Sequence, residues 1–503
     1  MHGLMALRWR VVQAAVAAVA AVGAALLGAM PGLATQEAVT RVSDDPYTSC
    51  TGGSPPEAHA TEVEPDTFAF GSTVVATFQV GRIFNGGSCD IGWATSHNGG
   101  ISWSHGFLPS TTVVSTPAGP FFAVSDPSVA FDFRHGAWLI SWLGIHAAGG
   151  GIVDVMVSRS TDGGATWSTP IFVAATGTFF DKNWSVCDNT PSSPFFGNCY
   201  TEFDDVRKGD LEQMSTSSDG GLSWGPNVAT ADRARGLGGQ PVVQPNGRVV
   251  VPYEGLSGAS GIRSFSSDDG GATWNASVRI SIRTAHPVAG RLRTSPLPSA
   301  EVDREGRVYV AWQDRRFEPG GTANDIVMST SDEGTSWSPV TRIPIDPVGS
   351  NVDHFIPGLG VDRTSARDHA LLALTYYFYP SANCTAATCR LMVGFVSSLD
   401  GGQDWSDPEI LAGPIQLSQI APTSQGVMVG DYISTSFLAG QQRVVAAFAV
   451  GLPPPTGAPF DEPMFSALQK VRGGQHHMNA DPALAEPDSA TAGAEEEPPA
   501  TAF

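Results

Sequence analysis

Six eight-residue strings, each closed by a tryptophan, recur along the chain: "SHNGGISW" (96–103), "STDGGATW" (160–167), "SSDGGLSW" (217–224), "SDDGGATW" (267–274), "TSDEGTSW" (330–337) and "SLDGGQDW" (398–405). Successive closing tryptophans stand between 50 and 68 residues apart. Self-similarity at that period points to a propeller or a stacked array. Each repeat reads alike inside. In the fifth, "LPSAEVD" is followed by the turn "REG", then "RVYVAWQ", a polar loop, "DIVMSTS", the string itself and "VTRIPI". These are short β-rich runs separated by Gly, Asp, Asn and Pro, without helical periodicity. Four strands per repeat make a propeller blade. The expected fold is therefore all-β, a propeller of four-stranded antiparallel blades over 35–472.

The number of blades turns on the end of the chain. "GDYISTSF", "RVVAAFAV" and "PMFSALQ" repeat the three-strand order without a closing string. A fourth strand from the N-terminal "AVTRVSD" would complete them. Seven blades are expected, with six as the alternative.

Each string reads as a hairpin turn between third and fourth strands. Adjacent glycines permit the positive φ such turns need. An Asp there, such as Asp162, accepts bonds from its own turn's N–H groups. Six copies at different angles around a ring cannot converge on one substrate, and the first carries Asn98, which a turn tolerates and a catalytic acid does not. All six acidic or amide positions are therefore assigned to structure.

The chain opens with Arg8 and Arg10, then an apolar, alanine-rich run to about Met30 and the small residues of "PGLA". That is a secretory leader layout, expected to be cleaved near Ala34, giving a secreted protein with no membrane anchor. Export permits disulfides, and the six cysteines sort by position: Cys187 with Cys199, Cys384 with Cys389, and Cys50 with Cys89 remaining. The Ala-, Pro- and Glu-rich end, 473–503, reads as a disordered tail. A net charge of −21 argues against nucleic acid as a partner.

If the box hairpins lie at one end of the ring, the starts of first strands and the ends of second strands lie at the other. First-strand starts give Asp126 ("SDPSVAF"), Asp181 and Lys182 ("FDKNWSV"), Gln240, Asp353 and His354 ("DHFIPGL"), and Asp431 and Tyr432 ("GDYISTS"). Second-strand ends give Arg82 ("FQVGR"), Asp204 and Asp205 ("TEFDD"), Tyr253 and Glu254 ("VPYEG"), and Asp314, Arg315 and Arg316 ("QDRR"); Arg291 and Arg293 precede the fifth repeat. Carboxylates, arginines and a tyrosine thus converge on one mouth, as hydrolysis of an acidic sugar requires. A binding role for Arg315 and Arg316 competes with simple pairing to Asp314. Asp126 competes with a strand-entry cap, and His354 with plain packing. No cofactor is implied. A structural calcium ion on Asp181, Asp204 and Asp205 is the one metal reading, and a regular ligand loop for it is missing.

The recurring string resembles the Asp box of the sialidase superfamily, also known for BNR repeats, over roughly residues 57–469. The resemblance implies a β-propeller glycoside hydrolase that cleaves terminal sialic acid from a glycan or glycoconjugate. "FQVGR" with Arg82 is similar to the segment ending the family's second strand. Tyr432 matches the setting of the family's tyrosine nucleophile, with Glu254 the candidate activating partner and Asp431 behind it. Sialic acid carries a carboxylate on its anomeric carbon, so a neutral phenol is a better nucleophile than a carboxylate. Arg82, Arg293, Arg315 and Arg316 would hold the substrate carboxylate. The family's first-strand Arg-Ile-Pro motif has no counterpart in "TEVEPDTFAF". Two alternatives follow: a glycosidase using paired carboxylates such as Asp181 and Asp204, and a non-catalytic propeller that binds glycan or protein.

Overall fold

The structure, a computed structural model, describes residues 39–474 apart from 150, 257–259 and 296. The expected leader, 1–34, and all but the first two residues of the expected tail, 473–503, lie outside the described residues.

The described chain is all-β apart from five single-turn 3₁₀ segments. Its strands fall into successive antiparallel groups of four, each a meander in which the first strand lies at one edge. The first strands are Glu57–Phe70, Ala123–Asp132, Phe180–Cys187, a broken pair Gly236–Leu237 and Val242–Val243, Ser299–Val302, Asp353–Val361 and Ser434–Leu438. The first and second groups are continuous only through the single pair Ser88–Val124. The last group is completed from the start of the described chain: Val39–Arg41 pairs antiparallel with Met464–Lys470, Val39 opposite Ala467. The strand expected from "AVTRVSD" thus supplies the missing fourth member.

Each first strand packs beside the first strand of the next group, and Ser434–Leu438 packs beside Glu57–Phe70. Apolar side chains fill the layers between neighbouring sheets. Val186, Tyr200, Val249, Val251, Phe265 and Trp274 fill one layer, and Ala311, Met328, Leu372, Leu374, Tyr376 and Trp405 another. All three expected disulfides form.

The box turns behave as their residues dictate. Asp162 accepts hydrogen bonds from Ser160 Oγ (2.8 Å), the N–H groups of Ala165 and Thr166 (3.0 Å each) and Thr166 Oγ1 (2.6 Å). Asn98 accepts from Ser102 N at 2.9 Å, so an amide keeps this turn's acceptor role. The second glycine of each box does something the turn alone does not require. A Cβ on Gly164 would come within 2.9 Å of Val75 and Thr95 of the preceding sheet. Gly221 approaches Leu139, Gly334 approaches Val250, Gly402 approaches Met328, and Gly100 approaches Val445 in the same way. The box is therefore also the contact by which each sheet docks on the one before it.

The fifth box differs. Ser331, one residue nearer its tryptophan than Ser160 is to Trp167, bonds Gly334 N at 2.7 Å. The shorter turn leaves Asp332 facing outward, where it pairs with Arg307 (2.9 Å) and Arg367 (3.1 Å). Its role is structural, but between segments rather than within its own turn.

Candidate functional site

Four of the first strands are interrupted at matching places. Register breaks fall between Val63 and Asp66, Ser125 and Ser128, Asp181 and Trp184, and Phe355 and Gly358. At each break one residue takes a left-handed backbone: Glu64 (φ 56°), Asp126 (45°), Lys182 (50°) and Ile356 (51°). Three are followed by a proline, Pro65, Pro127 or Pro357, which has no N–H to continue the ladder. Bulges of this kind re-aim a side chain, and strained backbone collects where side chains must be positioned. Here they turn Glu64, Asp126 and Lys182 toward one another from three successive sheets.

Lys182 is the centre. Its Nζ lies 3.0 Å from Asp126 Oδ1, 2.6 Å from Asp431 Oδ2 and 3.6 Å from Glu64 Oε1, and the side chain is 8% exposed. Arg293 reaches the same Asp431 oxygen at 2.5 Å. Glu64 accepts from Gln79, which also donates to Ser125 Oγ at 3.2 Å. Arg82, 3% exposed, donates through Nη1 to the Met428 carbonyl (2.7 Å) and to Glu462 (3.4 Å), while its Nη2 is buried without a protein partner.

Beside this cluster lies a small cavity, with a volume of about 30 Å³, lined by Glu64, Arg82, Asp126, Asp181, Lys182 and Arg293 among others. The loop through Asn85 and the Pro422–Thr423/Gly426–Val427 hairpin roof it. Ser424 N donates to Phe84 O at 2.9 Å and Arg293 N to Val427 O at 2.8 Å.

The electrostatics divide the acids. Burial raises Glu64 to about 8 and Asp181 to about 7, with the Asp126 charge adding to both and Lys182 opposing. Asp431 is held at about 2: burial would raise it, but Arg293 and Lys182 together outweigh burial. Burial also pushes the Tyr432 phenol well up, with Glu64, Asp126, Asp66 and Asp431 adding to the effect.

The candidates taken from sequence separate accordingly. Arg82, Asp126, Asp181 and Arg293 line the cavity, and Asp431 joins them through Lys182 and Arg293. Tyr432 lies beside them but not on the cavity wall. Its hydroxyl donates to the Pro127 carbonyl at 3.3 Å, its ring meets Trp184 edge-on at 5.0 Å, and Lys182 stands 5.8 Å over its face. The expected partnership of Glu254 with Tyr432 is not formed, because Arg283 takes the Glu254 carboxylate.

Asp204 stands in register opposite both Asp181 and Glu212, outside the cavity lining, with Oδ1 buried and unpartnered. Asp205 is occupied by Lys208 (2.7 Å) and Thr178 (2.7 Å), which removes it from any shared calcium site with Asp181. Arg316 closes on Asp314 (2.9 Å) and the Ile282 carbonyl (2.8 Å), and Arg315 is exposed outside the cavity lining; the pairing reading of "QDRR" prevails for Arg316. His354 is 1% exposed, stacked on Phe378 at 5.9 Å, and also outside this cavity. Glu64 and Gln79 were not anticipated, and Lys182 was noted only by position. The signal for Glu64 was the shared residue-proline step, "EP" beside "DP", at equivalent places in successive first strands.

The BNR repeat-like domain matches residues 136–361. The chain is similar to a sialidase of Micromonospora viridifaciens, 27% identical over 285 residues, which make up 50% of this chain and 40% of that protein. It thus spans less than half the length of that relative. Among solved structures it is similar to a Hadza microbial sialidase, with TM-score 0.45 and 16% identity over 84% of this chain and 67% of that one. A polysaccharide lyase, an ulvan lyase, gives TM-score 0.47 and 12% identity over 86% and 96% of the two chains.

Proposed function

Because this chain matches the BNR repeat-like domain over residues 136–361 and is similar to a sialidase, we propose that it is a secreted glycoside hydrolase acting on an anionic glycan in the cavity lined by Arg82 and Arg293. The cyclic packing of first strands supports a propeller of seven blades rather than six. Three disulfides are in keeping with an extracellular setting. No described helix is long and apolar enough to cross a membrane.

The observation that carries the reading is the buried Nη2 of Arg82, unpartnered on a residue that lines the cavity. A buried guanidinium donor without an acceptor is costly, and a substrate carboxylate or sulfate would satisfy it. Arg293, on the same wall, adds a second positive charge. Asp181, raised by burial to about 7, is protonated in a substantial fraction of molecules at neutral pH, which suits a general acid. Asp126, paired with Lys182, is the second carboxylate of a two-acid mechanism.

Tyr432 as nucleophile is the second reading. It is favoured by the adjacent Asp431 and by a 3.3 Å hydroxyl bond long enough to be given up easily. It requires Lys182 to move off the tyrosine face.

Turnover of fluorogenic sialosides, uronides and neutral glycosides by the purified protein tests this reading. Arg82→Gln should raise KM for the anionic substrate by about tenfold or more. Asp181→Asn should lower kcat by about 10²-fold or more. Tyr432→Phe separates the two mechanisms: retained turnover supports the carboxylates, and its loss supports the tyrosine. A folded protein that binds anionic glycan but turns over none of these substrates is a binding propeller, and the hydrolase reading fails.

A further inference from the structure

Away from the cavity, the top of the interface between the fifth and sixth sheets holds a second concentration of buried polar groups. Asp325 opens the strand Asp325–Ser331, Asp346 follows Thr341–Arg342, and His354 is the second residue of Asp353–Val361. One ligand atom from each of the three lies within 4.8 Å of the others. We infer that Asp325, Asp346 and His354 bind a divalent transition-metal ion of the zinc class, fastening the fifth sheet to the sixth.

Two observations support this beyond proximity. The first is hydrogen-bond accounting. Asp325 is 2% exposed and His354 1%, and both Asp325 Oδ2 and His354 Nδ1 are buried without a protein partner. Buried polar atoms are nearly always satisfied, so each orphan calls for an acceptor, a donor or an ion. The imidazole cannot swing away to find one, because Phe378 stacks on it at 5.9 Å and Tyr376 meets it edge-on at 5.5 Å.

The second is charge. Arg342 is the cation already in place. It donates to Asp325 Oδ1 at 2.7 Å, to Asp346 Oδ1 at 2.5 Å and to the Asp346 carbonyl at 2.7 Å. Ser350 donates to Asp346 Oδ2. Glu318 and Asp346 add their fields to Asp325, and Glu318 acts likewise on Asp353, whose Oδ2 is buried and unpartnered. Two carboxylates therefore share one guanidinium, with the Glu318 charge acting on Asp325 beside them, and a second positive charge is favoured in so poorly solvated a place. Arg342 engages only one oxygen of Asp325, leaving the other buried without a protein partner. One imidazole and two carboxylates form the donor set of zinc, manganese or cobalt rather than of calcium or magnesium, which take oxygen alone.

The full secreted chain is the material for the test. It is stripped with EDTA, exchanged into metal-free buffer, loaded with Zn²⁺, passed through gel filtration and analysed for metal by mass spectrometry. One zinc per chain is expected in the wild type, with binding at least about 100-fold weaker in His354→Ala and in Asp325→Asn. Cobalt loading gives a second readout, a visible absorption band of nitrogen–oxygen coordination that His354→Ala abolishes. Where either variant folds poorly, the wild type decides: zinc should raise its Tm, and His105→Ala, at an exposed histidine paired with Asp44, should leave that shift unchanged. A wild type that retains no zinc, or zinc retention that survives both ligand substitutions, overturns the proposal and leaves Asp325–Arg342–Asp346 as a salt bridge alone.

Discussion

Lys182 shows how a single side chain sets the character of the cavity. It sits among Glu64, Asp126 and Asp431, and it belongs to the third sheet while they come from the first, second and last. Removing one member of such a buried set strands the others, a loss of about 3–5 kcal/mol. The acids around it respond to pH in two opposite senses. Asp431, at about 2, contributes stability that is present above the ordinary carboxylate value near ~4 and is lost as pH falls toward 2. Glu64, at about 8, and Asp181 and Glu212, each at about 7, contribute stability that is complete below ~4 and lost as pH rises through 7 to 8. The raised acids outnumber the lowered one here. The urea midpoint should therefore be highest near pH ~5 and fall by pH ~8, and Glu212→Gln should flatten the fall. A midpoint that rises steadily between those two pH values contradicts this reading of the cluster.

At the level of the element, the box turn and the bulged strand do different work with similar means. Both use residues at positive φ, but the box spends glycine there and the bulge spends Glu64, Asp126 or Lys182. The glycine permits close approach to the preceding sheet, while the bulge turns a charged side chain toward the cavity. Asp162→Ala removes four acceptor contacts from an exposed turn and should cost about 1 kcal/mol in urea unfolding. Asp332→Ala in the fifth box removes only partly exposed ion pairs to Arg307 and Arg367. It should cost about 0.5 kcal/mol, and less at high salt. Equal costs at the two positions, independent of salt, would count against the different roles assigned to them.

For the whole molecule, closure depends on residues separated by almost the full described chain. Val39–Arg41 covers the edge of Met464–Lys470, and Met464 N donates to Ser43 Oγ at 2.8 Å. A chain beginning after Arg41 should show a lower Tm and concentration-dependent association in light scattering, because an uncovered edge invites pairing with another copy. Much of this architecture was legible beforehand. The repeated Ser-x-Asp-x-Gly strings, the turn residues between β-rich runs and the unboxed "GDYISTSF" set marked the four-strand groups and the closing strand, since turn chemistry and strand alternation are local properties. The cysteine pairs were legible for a similar reason, as two of them close short loops. The cavity was legible in part: Arg82, Asp126 and Asp181 follow from strand ends, and Arg293 from its place before the fifth repeat. Glu64 and Lys182 acquired their roles only through bulges that reverse the direction a regular strand would give them. Which carboxylate Arg283 takes, whether Tyr432 faces the cavity or the Pro127 carbonyl, and that Asp325, Asp346 and His354 meet at all are outcomes of packing between sheets. The sequence alone determined the repeat, its turns and the strand ends that carry the charged residues, because these depend on neighbours along the chain. Only the tertiary structure decided which charges pair and which are left to a ligand, because that depends on neighbours across it.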